Sequence, residues 1–386
     1  MTRRRKTVKM SNKSKIIISA IVVPIGIALI IIGSILISYA VFPYRKGEVE
    51  KAKSITLPDN GVLRVLQLTD LHLTAIPWSK QDRQTVKWVK EAVKFARADV
   101  VALTGDAVGS LFSFRMRDKA LIEIAEIFEE AQVYWMYTFG NHDGEWAYAT
   151  GKEVELANKD QGKEELYELL KGYKYSLMRK GDTDGIGNYV IDVVDGDGNV
   201  VYGLVNMDSQ GKNFGDDGKK LSTYQGVTVD QTLWYEREIK ALNDRAGKEV
   251  KTSLFMHVPL YEYVDAWLNN KHVGDFPAIN IEARCNEPDQ NIGFYDKIKE
   301  LNSTDFVTVG HDHDFNWLIK YGEDKENGFE GVYFSYGRVS GVNAWERRAP
   351  LGATIIDINI NAESIDARYK VSVIEPSFAY DEYAWW

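Results

Sequence analysis

Five times along this chain an apolar, strand-like run stops at an aspartate, an asparagine or a histidine. The runs are "VLRVLQLTDLH" (Val62–His72), "DVVALTGD" (Asp99–Asp106), "QVYWMYTFGNHD" (Gln132–Asp143), "TSLFMHVPL" (Thr252–Leu260) and "DFVTVGHDHD" (Asp305–Asp314). Of six histidines in the chain, His72, His142, His257, His311 and His313 sit at these strand ends and His272 alone does not. A single Asp, Asn or Gly after a strand is ordinary turn chemistry. Five histidines collecting beside carboxylates at strand ends are not, and any fold for this chain has to accommodate them.

Between the runs the period changes. Lys80–Ala98 places Val86, Val89, Ala92, Val93 and Ala96 at helical spacing, and Lys119–Glu130, Glu153–Leu170 and Val229–Asp244 also read as helices. Strand and helix alternate, which implies a mostly parallel sheet covered by helices. In such sheets ligands bind at the carboxyl ends of the strands, where the five runs stop. Residues 181–226 are rich in Gly, Asp and Asn, with strands near Tyr189–Val194 and Val201–Met207, and Gly331–Val373 is strand-rich. The simplest division is a linker at 43–60, one globular domain at 61–376 and an aromatic, acidic tail at 377–386.

The N-terminus has a different character. Residues 1–15 carry seven basic side chains and no acid, and the next 27 residues, Ile16–Phe42, carry no charge. That stretch spans a hydrocarbon core of about 30 Å as a helix, even with Pro24 inside it. The excess of Lys and Arg before it puts residues 1–15 in the cytoplasm and the domain outside, as a single-pass membrane anchor. A cleaved signal peptide ending near Ser38–Ala40 is the rival, but the apolar run is longer than the usual ~7–15 residues. The single cysteine, Cys285, permits no intramolecular disulfide. The formal net charge is −9, so with the basic first segment set aside the remainder carries −16. An acidic domain is a poor non-specific partner for nucleic acid, whose binding depends on Lys and Arg at phosphates.

Read in order, the strand ends give D-x-H, G-D, G-N-H-D, H and G-H-x-H. With this pattern the chain resembles the calcineurin-like metallophosphoesterase superfamily over roughly Leu63 to His313. The resemblance implies an α/β fold, an αββα sandwich of two mixed β-sheets flanked by helices, here preceded by one transmembrane helix. It implies two metal ions and carries a ligand set onto this sequence. Asp70, His72 and His313 would hold one ion, Asn141, His257 and His311 the other, and Asp106 would bridge them. His142 would not be a ligand; it would stand near the substrate phosphoryl group, held by Asp143. The donor chemistry agrees: imidazole nitrogen with carboxylate and amide oxygen suits Mn, Fe, Zn or Co better than a thiolate-seeking metal. Two such ions hold a hydroxide and clamp phosphoryl oxygens, so no protein nucleophile is needed. Gly105, Gly140 and Gly310 allow backbone to approach the centre closely. Asp312 serves as a spacer that lets His311 and His313 reach different ions, and Asp312 and Asp314 are read as lying outside the ligand set.

A weaker resemblance reaches the purple-acid-phosphatase-like subgroup through "FMHVPLYEY", "CNEPDQNIGF", "VYFSYGRVSG" and "WERRAP". Where that family has a tyrosine ligand this chain has Gly109, and His72 replaces a glycine, so no tyrosinate–Fe(III) colour is expected. Arg338, Arg347 and Arg348 are read as surface ion pairs and Cys285 as incidental. The expected activity is hydrolysis of a phosphomonoester or phosphodiester by a membrane-anchored, extracytoplasmic enzyme. A phosphodiesterase acting on lipid-linked or cell-envelope substrates is the alternative, and a non-catalytic metal-binding scaffold on the same fold is the third reading.

Overall fold

The computed structural model describes residues 54–74, 79–109, 114–144, 154–214, 220–275, 278, 288–345 and 349–380. The chain divides into two units, Met1–Glu48 and Val49–Trp386, and every described residue belongs to the second. Among the described residues no helix is long and apolar enough to cross a membrane. The stretch 16–42 read as an anchor lies outside them, as do Cys285, Arg347, Arg348 and residues 381–386.

In chain order the elements begin β1 (Ser54–Thr56), β2 (Val62–Leu68), α1 (Lys80–Ala96), β3 (Val100–Thr104), α2 (Phe114–Glu130), β4 (Tyr134–Thr138) and α3 (Val154–Leu170). There follow β5 (Tyr189–Val194), β6 (Val200–Asn206), β7 (Lys212–Phe214), β8 (Lys220–Tyr224), α4 (Val229–Ala246), β9 (Thr252–Phe255) and α5 (Glu262–Asn269). The remainder is α6 (Phe294–Leu301), β10 (Thr304–Val309), β11 (Leu318–Tyr321), β12 (Val332–Tyr336), β13 (Ala353–Asn359), α7 (Ile365–Arg368) and β14 (Tyr369–Ile374).

The expected helices and strands are present with shifted ends. α2 begins at Phe114 rather than Lys119, and β1 lies inside the segment read as linker, paired parallel with β5. α1 starts where Ser79 accepts the Asp82 N–H at 3.0 Å and stops at Arg97, which turns left-handed. Its buried stripe is Thr85, Trp88, Val89, Ala92, Val93 and Ala96. α4 opens on a reciprocal Thr228–Gln231 capping box and closes on Gly247 at φ 66°.

Two mixed sheets result, ordered β1-β5-β6-β9-β10-β12-β11 and β14-β13-β2-β3-β4, beside a small β7-β8 hairpin. Period-two alternation along β2 shows the layering. Leu63 and Val65 enter the layer between the sheets, with Phe255, Phe306 and Ile356. Leu66 and Leu68 face the helices, with Trp88, Val89 and Phe128. On the other side Val205, Leu254, Val307 and Phe334 pack beneath Trp234, Ile239, Tyr263 and Ile298. The arrangement is helix, sheet, sheet, helix, and strands such as β3 and β10 are buried on both faces because both are covered.

Several buried polar side chains bond between the sheets, among them Thr138 to Asn206 and Gln67 to β10. Gln67 on β2 donates to Thr104 Oγ1 (2.9 Å) and to the Val309 carbonyl (3.1 Å), and accepts from Thr308 Oγ1 (2.8 Å). A buried amide with three partners is a directional tie that apolar contact does not provide. It joins the two sheets directly beneath the ends of β2, β3 and β10.

Candidate metal centre

β2, β3 and β4 run parallel, as do β6, β9, β10 and β12. Their carboxyl ends converge, and the residues after them form two buried groups: Asp70, His72 and His313, and Asp106, His257 and His311. Within each group the potential donor atoms lie within 4.8 Å of one another. Asp106 Oδ2 faces both, 3.1 Å from His257 Nε2 and 3.8 Å from His72 Nε2. Asn141 is buried at the end of β4, and its Oδ1 has no hydrogen-bond partner.

The backbone bends sharply to bring this about. Among the described residues eight non-glycine positions have positive φ, and Asp70, His72, Asp106 and His311 are four of them. Such conformations cost free energy and cluster where surrounding structure enforces them. Close approach is enforced too. A Cβ on Gly310 would fall 2.0 Å from Thr69 Oγ1 and 2.6 Å from Asp70 Oδ2, and one on Gly105, at φ 90°, would fall 2.3 Å from the His257 ring.

Carbonyl oxygens set the histidine tautomers. His257 Nδ1 lies 2.8 Å from the Thr104 carbonyl and His313 Nδ1 lies 2.6 Å from the Trp345 carbonyl. A carbonyl only accepts, so each Nδ1 carries a proton, which leaves Nε2 as the nitrogen that offers a lone pair to a metal once the ring is neutral. His257 Nε2 is buried without a hydrogen-bond partner, as are His311 Nε2 and His72 Nδ1. His72 Nε2 and His313 Nε2 face each other at 2.9 Å. Buried carboxylates, unpartnered imidazole nitrogens and an unpartnered amide oxygen therefore fit metal ions. No sulfur is among them, so the donors are of the kind that Mn, Fe, Zn and Co accept.

Charge in the pocket points the same way. Burial would raise Asp70, but the facing His313 and His72 rings hold it well below the usual carboxylate range. Burial would likewise raise Asp106, and the neighbouring His257 and His142 pull it far down. Burial lowers His72 to about 4 and pushes His311 well down. Burial would lower His257 as well, but the Asp106 carboxylate pushes it up to about 10. The sign of a pH effect follows. Below about 10 His257 holds a proton that a cation must displace, whereas His72 and His311 hold none near neutrality. Burial would lower His313 too, but Asp70 raises it, so Mn2+ affinity should rise with pH from 6.5 to 8.5, about tenfold per pH unit for each proton displaced. Calorimetry across that range checks it, and a flat affinity would show that His257 is neutral.

His142 is half-buried beside the first group; its backbone N–H donates to Asp106 Oδ1 (2.8 Å), and its ring centroid is 5.5 Å from that of His72. Asp143 does something other than the expected grip on the His142 ring. Its carboxylate accepts the backbone N–H groups of Gly140 (2.7 Å), Asp106 (2.9 Å), Ala107 (3.0 Å) and Val108 (3.3 Å). Asp143 thus ties the turn after β3 to the turn after β4. Asp312 accepts from Tyr336 Oη at 2.7 Å. Arg338 is buried against the Pro350 carbonyl (3.1 Å) and Glu375 (3.2 Å) instead of lying on the surface.

Sequence reasoning missed several neighbours. Ser209 Oγ accepts the N–H groups of His257 (3.2 Å) and Val258 (2.7 Å). Tyr224 meets His311 edge-on at 4.4 Å, with Lys212 Nζ 3.5 Å from the Tyr224 ring centroid. Trp345 meets three histidine rings. Ser209 and Trp345 come from loops and Lys212 and Tyr224 from the β7-β8 hairpin, and only Trp345 fell within a quoted motif.

Comparison with known proteins gives the following likenesses. A family model described as calcineurin-like phosphoesterase matches residues 63–315. The chain is 25% identical over 346 residues to "Probable inactive purple acid phosphatase 28" of Arabidopsis thaliana, covering 79% of each. It is 22% identical over 322 residues to "Probable inactive purple acid phosphatase 14" of the same plant, covering 75% of this chain and 74% of that one. Among solved structures, a dimetal phosphatase from Danio rerio superposes with a TM-score of 0.43 at 9% identity, covering 81% of this chain and 98% of that chain.

Proposed function

The chain belongs to the calcineurin-like phosphoesterase family, and on that premise we propose that it is a metal-dependent hydrolase of phosphomonoester or phosphodiester bonds. The observation that carries the reading is the pair of buried groups, Asp70/His72/His313 and Asp106/His257/His311, with Asp106 facing both. In this reading Asn141 completes the second group and Asp106 is shared. Metal ions bound there would supply Lewis-acid chemistry, acidifying a water and neutralising charge on the phosphoryl oxygens.

The chain's own residues do the rest. The carbonyls of Thr104 and Trp345 keep His257 and His313 in the metal-binding tautomer. Asp143 and Gln67 fix the loops and sheets from which the ligands project. His142, half-buried and outside both groups, is placed to stabilise the phosphoryl group or protonate the leaving oxygen.

The uncharged stretch 16–42 after a basic N-terminus supports an uncleaved anchor with the hydrolase domain outside the cell. An anchor also suits lipid-linked or cell-envelope phosphodiesters as substrates. The intact mass of the chain from the membrane fraction separates an anchored from a cleaved form.

A second reading, a non-catalytic scaffold, is favoured by the word "inactive" in the names of two relatives. Against it stands the complete set of donors together with His142. The deciding test uses the full chain in detergent, purified without chelator. Metals per chain are counted, and p-nitrophenyl phosphate and bis-p-nitrophenyl phosphate are assayed with Mn, Zn, Fe or Co. About two metals with hydrolysis of either compound is expected, and metal without turnover would leave the scaffold.

A further inference from the structure

We infer that Trp345 is a positioning residue whose indole holds the His142 imidazole in place beside the centre. The inference rests on the phosphoesterase reading, in which His142 acts on the substrate.

The loop 337–345 that delivers Trp345 is fixed from several sides. Ser340 N–H donates to the Thr69 carbonyl (2.9 Å), Val342 N–H to Thr85 Oγ1 (3.0 Å) and Asn343 Nδ2 to Asp82 Oδ1 (2.6 Å). Gly341 lies so close to the end of β2 that a Cβ there would fall 2.1 Å from the Leu71 carbonyl oxygen and 2.4 Å from that of Asp70. The strand end that carries Asp70 and His72 therefore also sets the position of the indole.

Three imidazoles surround that indole. Its centroid lies 4.3 Å from His72, 5.0 Å from His142 and 5.2 Å from His313, and the last two contacts are edge-to-face. Its backbone carbonyl takes the Nδ1 proton of His313. His72 and His313 are deeply buried, whereas His142 is half-buried. The oxygens of Asp143, the nearest carboxylate in sequence, are committed to backbone N–H groups. An imidazole side chain distributes among staggered rotamers. An edge-to-face aromatic contact biases such a population by a few-fold to about tenfold.

Two measurements test this on the full chain. The first needs no turnover: the ring carbon–proton spectrum of 13C-histidine-labelled, chelated protein, with the His142 peak identified by its absence in His142→Ala. That peak should move in Trp345→Ala, because the indole ring current is lost. The second is a kinetic cycle. Trp345→Ala should lower kcat about tenfold, with KM and metal content little changed, and Trp345→Phe should recover most of the loss. In a His142→Ala background Trp345→Ala should cost nothing more, since the residue acts through His142.

Additive losses, loss of metal in Trp345→Ala, or a phenylalanine variant no better than alanine would each overturn the inference. A His142 peak that stays in place overturns it whatever the turnover. A peak that moves in a chain without turnover supports the contact and overturns the phosphoesterase reading instead.

Discussion

Replacing His142 with alanine should lower turnover about 10²- to 10⁴-fold, the usual contribution of a positioned general acid or base, and should leave the metal content unchanged. The imidazole belongs to neither donor group. What His142 gives to the frame is its backbone N–H, 2.8 Å from Asp106 Oδ1, and alanine keeps that bond. The turn around it is held by Asp143 through the Gly140 N–H and by Arg117 Nη1 on the Asp143 carbonyl at 3.2 Å, neither of which involves the imidazole. The variant should therefore fold, bind metal and turn over slowly. Elemental analysis beside kcat for p-nitrophenyl phosphate decides it. If the metals left with the imidazole, His142 would be a ligand and the division between binding and chemistry would be wrong.

The donor cluster was legible before any coordinates because metal donors at strand ends form a pattern that turn propensity does not produce, whereas the division between ligands and His142 came only from the resemblance to a known family. His72, His257, His311 and His313 each follow a largely apolar, mostly buried run. The helices were legible for a similar local reason: α1 and α4 carry caps and apolar stripes within their own sequence. The separation into two sheets was not. β3 reads VVALT, buried throughout, and would read the same inside one continuous parallel sheet. Only the resemblance to a known family supplied the sandwich. β1 escaped notice because three residues in a charged stretch carry no periodicity. The role of Asp143 was misjudged because its partners, Asp106 to Val108, lie more than thirty positions away in the chain. Trp345 escaped for the same reason. Its loop is placed by the Asn343–Asp82 bond across 261 positions, and no local spacing announces such a partner.

Asp106→Asn should empty both metal positions at once, with a loss of turnover at least as large as that of His142→Ala. Asparagine has nearly the same shape and can keep an acceptor for the His142 N–H, so the turn should survive. What it removes is the negative charge and the second oxygen, the atom that stands 3.1 Å from His257 Nε2 and 3.8 Å from His72 Nε2. A cation in either group would then face one anionic ligand fewer, and an amide that put its NH2 on that side would repel it. Asp70→Asn is the control, because Asp70 belongs to the first group alone; it should weaken one position and spare the other. There is also a signature that needs no metal. Asp106 is what pushes His257 up to about 10, so in chelated Asp106→Asn the His257 ring should lose its proton at a much lower pH, which its 13C–1H peak reports directly. One metal retained in Asp106→Asn, with His257 titrating as in wild type, would mean that Asp106 serves a single position and that the two groups are not joined through it.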